Sequence, residues 1–454
     1  MIQLPIQRLF DLRQVAPQCH DEKIDFTGIS IDSRHLQPGN LFIALRGEKL
    51  DGHNYVEIAF QKGAAAALVE HSTASAIPQF LVKDTKIALG QLGAYWRQQF
   101  PIPIIGITGS NGKTTLKNML ARILQCATNE PNTVLATKGN LNNEYGLPLT
   151  LAQLNAKHRY AVIEMGMNHA GEIAYLTKLT QPQVAVITNA AEAHLEGLKT
   201  VAGIAQAKGE IFLGLPPNGT AILNRDDAFF ETWATLTRGR SYLTFGLKNT
   251  ADVSAIIGNT VTIQTPQGCF NIKLPLLGTH NLMNALAATA SALALNIEIS
   301  AIQRGLESVT PEPGRMQQFH LDNDIRIIDD TYNANPVSLK AAVQTLATLP
   351  GTKIIVLGDM KELGPDALHY HKQAGENIRD HGIHYLFTYG DLSLATAQAF
   401  GKNAQHFSER ESLLNTLKPY LQKDVVLLVK GSRSMRMEYF IKALVPQTEY
   451  LPTH

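Results

Sequence analysis

The feature that most constrains this chain is a series of short, continuous apolar runs, each ending in polar or glycine-rich residues and each followed by a helix-period stretch. The runs begin near Phe100 with PIPIIGIT, YAVIE, VAVITN, TAILN and YLTFG, and resume later with IRIIDD, KIIVLGD, HYLFTYG and VVLLVKG. Unbroken β-branched runs between helices are strands buried on both faces, because crossover helices cover both sides of a parallel sheet. Two such series predict two α/β domains, parted near the proline- and glycine-rich PEPGR at residues 311–315. Residues 1–84 differ. There ISIDSR, NLFIALRG, AAALVE and QFLVKD read as short strands with one or two helices between them, a small α+β domain. The expected division is 1–84, 85–314 and 315–454.

Composition supports this reading and narrows the function. In 454 residues, 44% are hydrophobic and 17% charged, enough apolar surface for several cores and nothing like a disordered composition. A formal net charge of +1 argues against a nucleic-acid binder that works by neutralising phosphates. Cys19, Cys126 and Cys269 are far apart and odd in number, which points to a reducing compartment rather than a disulfide framework. No basic-then-apolar leader and no run near ~18 apolar residues is present. The expectation is a cytoplasmic protein without membrane insertion.

The sharpest local signal is GITGSNGKTT at residues 106–115. An apolar run enters it, and Leu116, Met119, Leu120, Ile123 and Leu124 form one helical stripe beyond it. Strand, glycine loop and helix is the setting that a phosphate-binding loop requires. Gly109 and Gly112 let the backbone N–H groups around Ser110, Asn111 and Thr115 turn onto phosphate oxygens at the positive end of a helix. Lys113 can reach the terminal phosphates, and Thr114 can place a hydroxyl on Mg²⁺. The spacing departs from G-x-x-x-x-G-K-[ST], since Ile107 stands five before Gly112 and Gly106 one residue further back. The loop predicts a nucleoside triphosphate. It does not say what the triphosphate is for.

Open parallel sheets collect ligands at their other strand ends. Glu164 closes YAVIE and, taken alone, reads equally as a Mg²⁺ carboxylate or a solvated acid. VAVITN runs into AAEAHLEG, which presents His194 and Glu196; Mg²⁺ prefers oxygen, so His194 by itself more often packs or hydrogen-bonds. Lys208, in AQAKGEIF, is by default a solvated lysine. In GTHNLMNALAA, helix capping and small-residue packing compete with ligand binding as the purpose of Asn281 and Asn284. DDTYNANP sets Asp329, Asp330, Asn333, Asn335 and Pro336 after an apolar strand, a polar density beyond what a turn needs. KGSR at 430–433 offers two cations to an anion or makes a plain turn. His369 and His371, two apart on a helix, face apart and do not suggest a shared metal.

Taken together, TGSNGKTT, TKGNLNNEYGLPLTL, EMGMNHAGEI, ITNAAEAHLEG, AKGEIF, GTHNLMNALAA, PGRM, DDTYNANP, GDMKELG and KGSRSM resemble the Mur ligase family over nearly the whole chain. GNLNNEYGLP and DDTYNANP discriminate far better than the phosphate loop does. The resemblance implies three domains: a small α+β N-terminal one holding a UDP moiety, a central P-loop ATPase with a parallel sheet, and a C-terminal Rossmann-like α/β domain that brings in an amine. It implies ATP and Mg²⁺, with Lys113 and the loop amides on the phosphates and Thr114 and Glu164 on a first Mg²⁺. His194 would serve a second, with Lys208 as a carbamate; that change turns a cation into an oxygen anion that Mg²⁺ accepts. Asn281 and Asn284 would lie near the adenine, Arg315 and Asp330 near the ribose and phosphates. Ser33, Arg34 and Arg46 would sit by the UDP, Thr137, Asn140 and Asn143 along the precursor channel, and Asn333 and Asn335 toward the incoming dipeptide.

The reaction so implied joins D-alanyl-D-alanine to the tripeptide carboxylate of UDP-N-acetylmuramoyl-tripeptide through an acyl-phosphate, and the chain is expected to act as a monomer. A sister ligase adding lysine or a diamino acid, a folylpolyglutamate synthase-type enzyme and a non-catalytic ATP-binding scaffold are the alternatives. DDTYNANP in place of a D-N-P-R loop speaks against the tripeptide-forming sister. The joint presence of Lys113, Thr114, Glu164, His194 and Lys208 speaks against the scaffold.

Overall fold

The computed structural model describes residues 3–5, 16–17, 24–47, 50–192 and 198–446. Its first strands are short: β1 (Gln3–Pro5), β2 (Ala16–Pro17), β3 (Asp25–Thr27), β4 (Ile29–Ser30), β5 (Leu41–Ile43), β6 (Ala66–Val69) and β7 (Gln79–Leu81). β1 pairs with β3, while the others form one sheet in the order β2-β7-β6-β5-β4, parallel except for β2. One face of this sheet covers its own small core of Leu36, Phe42, Val56 and Ala67. Its other face, with Leu41, Leu68 and Phe80, joins the same apolar cluster as Phe26 of β3 and Ile104, Leu147 and Ile163 of the next domain. The two domains thus share a core. Helix Thr85–Gln98 leads across, capped by the Asp84 carboxylate, which accepts from the Ile87 amide.

The central sheet is formed by β8 (Ile104–Thr108), β9 (Val134–Ala136), β10 (Tyr160–Glu164), β11 (Val184–Ile187), β12 (Thr220–Asn224) and β13 (Ser241–Phe245). Its order is β13-β12-β11-β8-β10-β9, and every pairing is parallel. Both faces are buried, as continuous apolar runs require. β8 lies in the middle, and the chain departs from it to opposite sides, so the crevice beyond its end sits between β10 and β11.

A three-stranded antiparallel sheet follows, β14 (Ser254–Ile257), β15 (Val261–Thr265) and β16 (Gly268–Ile272). It was not among the expected elements. Its strands are half-exposed, so their apolar residues alternate with polar ones and never form the unbroken runs that marked the other strands. Helices Thr279–Leu293 and Ile299–Glu307 then pack against helix Lys113–Thr128, which begins at the glycine loop.

The C-terminal sheet contains β17 (Gln317–Leu321), β18 (Ile325–Asp330), β19 (Thr352–Gly358), β20 (Tyr385–Tyr389), β21 (Ala404–Phe407) and β22 (Val425–Lys430). The order is β17-β18-β22-β19-β20-β21, parallel apart from the β17–β18 hairpin at its edge. Apolar clusters cover both faces. The architecture is therefore the expected one: a small α+β domain, a central parallel-sheet domain and a C-terminal α/β domain. No helix among the described residues is long and apolar enough to cross a membrane.

The phosphate-loop helix is held by a very close crossing. A Cβ placed on Gly305 would land on the backbone of Ile123, so only glycine permits this approach. Gly305→Ala should destabilise the chain by about 1–3 kcal/mol through overpacking. A lowered midpoint in chemical denaturation, with m unchanged, is the expected result.

Candidate active site

Strand β8 delivers the glycine loop into the crevice, and two of its glycines are fixed by sterics. Gly109 has φ +152° and Gly112 φ +84°. A Cβ on Gly109 would collide with Thr188 Oγ1, and one on Gly112 would lie 2.5 Å from Asn284 Oδ1. The end of β11 grips the loop from the side. Ser110 N donates to Asn189 O (3.0 Å), Asn111 N to Asn189 Oδ1 (3.0 Å), and Thr188 Oγ1 to Asn111 O (2.6 Å). Lys113 opens the helix, its Nζ donating to Gly109 O at 2.6 Å. Burial pushes the pKa of Lys113 down and Glu164 raises it in part, while Arg315 lowers it further.

One carboxylate organises the floor. Glu164, 3% exposed, accepts from Thr114 Oγ1 (3.0 Å) and from Asn142 Nδ2 (2.8 Å), while its own amide donates to Thr137 Oγ1 (2.9 Å). Arg315 Nη2 donates to the same Thr114 oxygen at 3.0 Å. Behind this wall Lys117, also buried, donates its ammonium to Thr137 O at 2.8 Å. Burial lowers the pKa of Lys117, and Glu164 and Glu312 partly restore it.

The C-terminal domain forms the opposite wall. β18 and β22 are parallel and in register, which sets Asp330 directly across from Lys430. Lys430 Nζ donates to Asp330 Oδ2 at 2.5 Å and to Asn333 O at 2.9 Å. KGSR thus keeps its lysine for an internal ion pair. The Tyr332 ring lies 4.0 Å from the Arg315 guanidinium carbon, and Arg315 Nε is buried without a partner among the described residues. Between the two walls lies a cavity of ≈ 340 Å³, lined by the loop, Glu164, His280, Asn281, Asn284, Arg315, Asp330 and Asn333. This is large enough for a nucleotide.

The expected residues divide by location. Gly109, Ser110, Asn111, Gly112, Lys113, Thr114, Thr115 and Glu164 come together with Asn281, Asn284, Arg315, Asp330, Asn333 and Asn335 at this cavity. Lys208, 2% exposed, lies in helix Val201–Gly209, close enough to Lys113 for their charges to interact; burial holds its pKa far below the usual ammonium value. It is no solvated lysine. His194, Glu196 and Cys19 fall outside the described residues. Thr137 is enclosed and committed to Glu164 and Lys117, Asn140 is exposed, and Asn143 caps helix Gly146–Leu151 by accepting from Gly146 N at 2.9 Å. Ser33, Arg34 and Arg46 belong to the N-terminal domain, away from the cavity lining. Arg34 forks onto Asp32, whose pKa it holds down at about 2, and Arg46 pairs with Asp51 at 3.5 Å.

Sequence reasoning passed over four participants. Asn142 faces Glu164, where its neighbours Asn140 and Asn143 were expected to serve. Lys117 backs the same wall, His280 lines the cavity with Nδ1 unpartnered among the described residues, and Tyr332 stacks on Arg315. Only the asparagine density of GNLNNEYG and DDTYNANP gave any sign of them. His371 is enclosed, accepting from Met360 N and using its other nitrogen on Ala367 O, whereas His369 lies outside and meets Gln373. The two are separate.

The donor set fits a hard cation and a polyanion. Among the described residues no three His, Cys, Asp or Glu gather. Thr114 and Glu164 offer oxygens only, which suits Mg²⁺ completed by phosphate and water. The loop amides, Lys113, Arg315 and the helix start supply the positive side.

Three family models match along the chain: one described as Mur ligase family, catalytic domain, at residues 25–93, the Mur ligase middle domain at 107–292, and the Mur ligase, glutamate ligase domain at 314–433. The chain belongs to the Mur ligase family. It is 42% identical to the UDP-N-acetylmuramoyl-tripeptide–D-alanyl-D-alanine ligase of Escherichia coli K12, covering 98% of this chain and 99% of that protein. A crystal structure of MurF from Acinetobacter baumannii superposes with a TM-score of 0.91 at 35% identity, over 98% of this chain and 99% of the other. MurF from Thermotoga maritima in complex with ADP gives a TM-score of 0.81 at 28% identity, over 91% and 96%.

Gly112→Ala should strain the loop's left-handed turn and press on Asn284, costing about 1–2 kcal/mol or more. Calorimetric titration with ATP and Mg²⁺ should show roughly tenfold weaker binding in a folded protein.

Proposed function

We infer that this chain is an ATP-dependent ligase that joins D-alanyl-D-alanine to the tripeptide carboxylate of UDP-N-acetylmuramoyl-tripeptide, a cytoplasmic step of peptidoglycan synthesis. The observation that carries the reading is a single cavity with the phosphate loop and Glu164 on one wall and Arg315, Asp330 and Asn333 of the C-terminal region on the other. Relatives of that name cover nearly the whole chain. The protein works as a monomer.

Joining a carboxylate to an amine needs a leaving group on the carbonyl. The tripeptide carboxylate attacks the γ-phosphorus of ATP, the bond to ADP breaks, and an acyl-phosphate results. The α-amine of D-alanyl-D-alanine then attacks the carbonyl, loses a proton, and inorganic phosphate leaves. Such chemistry calls on the protein for positioning and charge, not for a side-chain nucleophile. Lys113 and the loop amides neutralise the phosphates. Thr114 and Glu164 would hold one Mg²⁺, and His194 with a carbamylated Lys208 would hold a second; Mg²⁺ there would draw negative charge off the phosphates. Lys208 suits carbamylation because burial and Lys113 favour its neutral amine, which adds CO₂ with release of a proton. Asn281 and Asn284 border the adenine, and Arg315 and Asp330 the ribose and phosphates. Ser33, Arg34 and Arg46 take the uridine diphosphate. Asn140 and Asn143 border the precursor channel, with Thr137 behind them holding Glu164, and Asn333 borders the dipeptide end, with Asn335 anchoring its loop at the helix cap. Closure of the C-terminal domain over the cavity should keep water off the acyl-phosphate.

Incubation of the purified chain with ATP, Mg²⁺, the UDP-linked tripeptide and D-alanyl-D-alanine should yield pentapeptide by mass spectrometry, and single amino acids in place of the dipeptide should not. A folded protein that makes no pentapeptide would end this reading. Lys113→Ala should lower phosphate release on the order of 10²–10³-fold. Lys208→Ala should be inactive and partly recovered by short carboxylic acids; full activity without them would remove the carbamate.

A further inference from the structure

The amide of Asn335 spans the boundary between the C-terminal domain and the phosphate loop. Its Oδ1 accepts from Ser338 N at 2.8 Å, capping helix Pro336–Ala347 in a reciprocal capping box. Its Nδ2 donates to Asn111 Oδ1 at 2.8 Å, over 224 residues of sequence. Both ends of the Asn335 amide are thus assigned. The cap takes the oxygen, so the nitrogen must face Asn111.

That assignment propagates. An asparagine side chain has an acceptor end and a donor end of nearly the same shape, and its neighbours decide which way it lies. The Asn111 backbone cannot turn, since its N–H and C=O are both held by Asn189 and Thr188. With Oδ1 drawn to Asn335, the Asn111 Nδ2 is directed elsewhere; it is buried, without a partner among the described residues, on a residue that lines the nucleotide cavity. The opposite orientation would give the cavity a carbonyl oxygen where the phosphates bring negative charge.

We propose that Asn335 is a positioning residue for the nucleotide: through the helix cap it fixes the Asn111 amide with its N–H₂ toward the phosphates of ATP. This deepens the nucleotide-binding reading of the loop and rests on it. The same contact makes phosphate binding and docking of helix Pro336–Ala347 mutually supportive, because a phosphate on Asn111 Nδ2 holds the orientation that Asn335 needs.

Asn335→Asp separates this role from a structural one. Aspartate caps a helix as well as asparagine does. It cannot donate, however, so it would draw Asn111 Nδ2 to itself and turn Oδ1 to the phosphates. Titration of the full-length chain with ATP and Mg²⁺ should show binding weakened about tenfold in N335D, with the thermal midpoint little changed. In an N111A background the same Asn335→Asp change should cost almost nothing more. Equal loss in both backgrounds would mean a general effect of the new charge and would overturn the proposal, as would unchanged binding in N335D. If N335D is unfolded, N335S, which keeps a neutral cap but is too short to reach Asn111, takes its place in the same cycle. Failure of the unaltered chain to bind ATP would instead refute the nucleotide reading itself.

Discussion

Crowding of cations around one carboxylate is the constraint on which the site depends. Lys117 and Lys208 are enclosed, Lys113 and Arg315 partly so, and Glu164 is the acid that acts on both Lys113 and Lys117, with Glu312 acting on Lys117 as well. Removing ammonium groups from water is costly unless something anionic or neutral replaces the hydration. The protein answers in three ways. Lys117 is given a carbonyl, Lys208 is driven toward its neutral amine, and Lys113 folds back onto Gly109 O. Lys113 and Arg315 stay at the cavity wall, where a triphosphate would offset their charge. Affinity for a polyanion is therefore built into how the apo site is balanced.

The second wall is set by sheet register rather than by loop design. Because β18 and β22 run parallel with Asp330 opposite Lys430, the carboxylate and the ammonium emerge side by side at the ligand end of the sheet. Lys430 then ties Asn333 O as well, so DDTYNANP is pinned at the strand and again at the helix cap on Asn335. A loop held at both ends can present Tyr332 to Arg315 with little further ordering. Asp359 performs a similar task for GDMKELG, accepting from Leu392 N and Ser393 N while Lys361 pairs with its other oxygen.

How much of this was legible follows from what each residue's neighbours are. The strands of both large sheets are buried on both faces, so their apolar runs stood out; β14–β16 are half-wet and did not. The phosphate loop was readable because glycine spacing, lysine and helix all lie within ten residues. Glu164 was ambiguous in isolation, and only its placement beside Thr114, across β8 and β10, distinguishes it from a solvated acid. Lys208 and Lys117 resembled ordinary surface lysines because burial is a property of the packed domain. Among the asparagines the sequence shows density but not direction, so Asn142 was overlooked between two neighbours that turn away or serve as a cap.

The linker at 311–315 ties these parts to one another. Glu312 hydrogen-bonds Asn118 on the phosphate-loop helix, Gly314 N donates to Asp329, and Arg315 reaches Thr114. Burial pushes the Asp329 carboxyl up, while Thr331 and Gly314 N support its anion. The segment joining the two α/β domains thus itself lines the cavity, carrying Arg315 to its wall. A rotation of the C-terminal domain about this segment cannot leave the site untouched, since it would move Arg315 against Thr114 and Asn335 against Asn111 together. Movement of the C-terminal domain would therefore act on the cavity, and a nucleotide bound there would act in turn on the domain's placement. That coupling suits a reaction whose acyl-phosphate must meet its amine before water does.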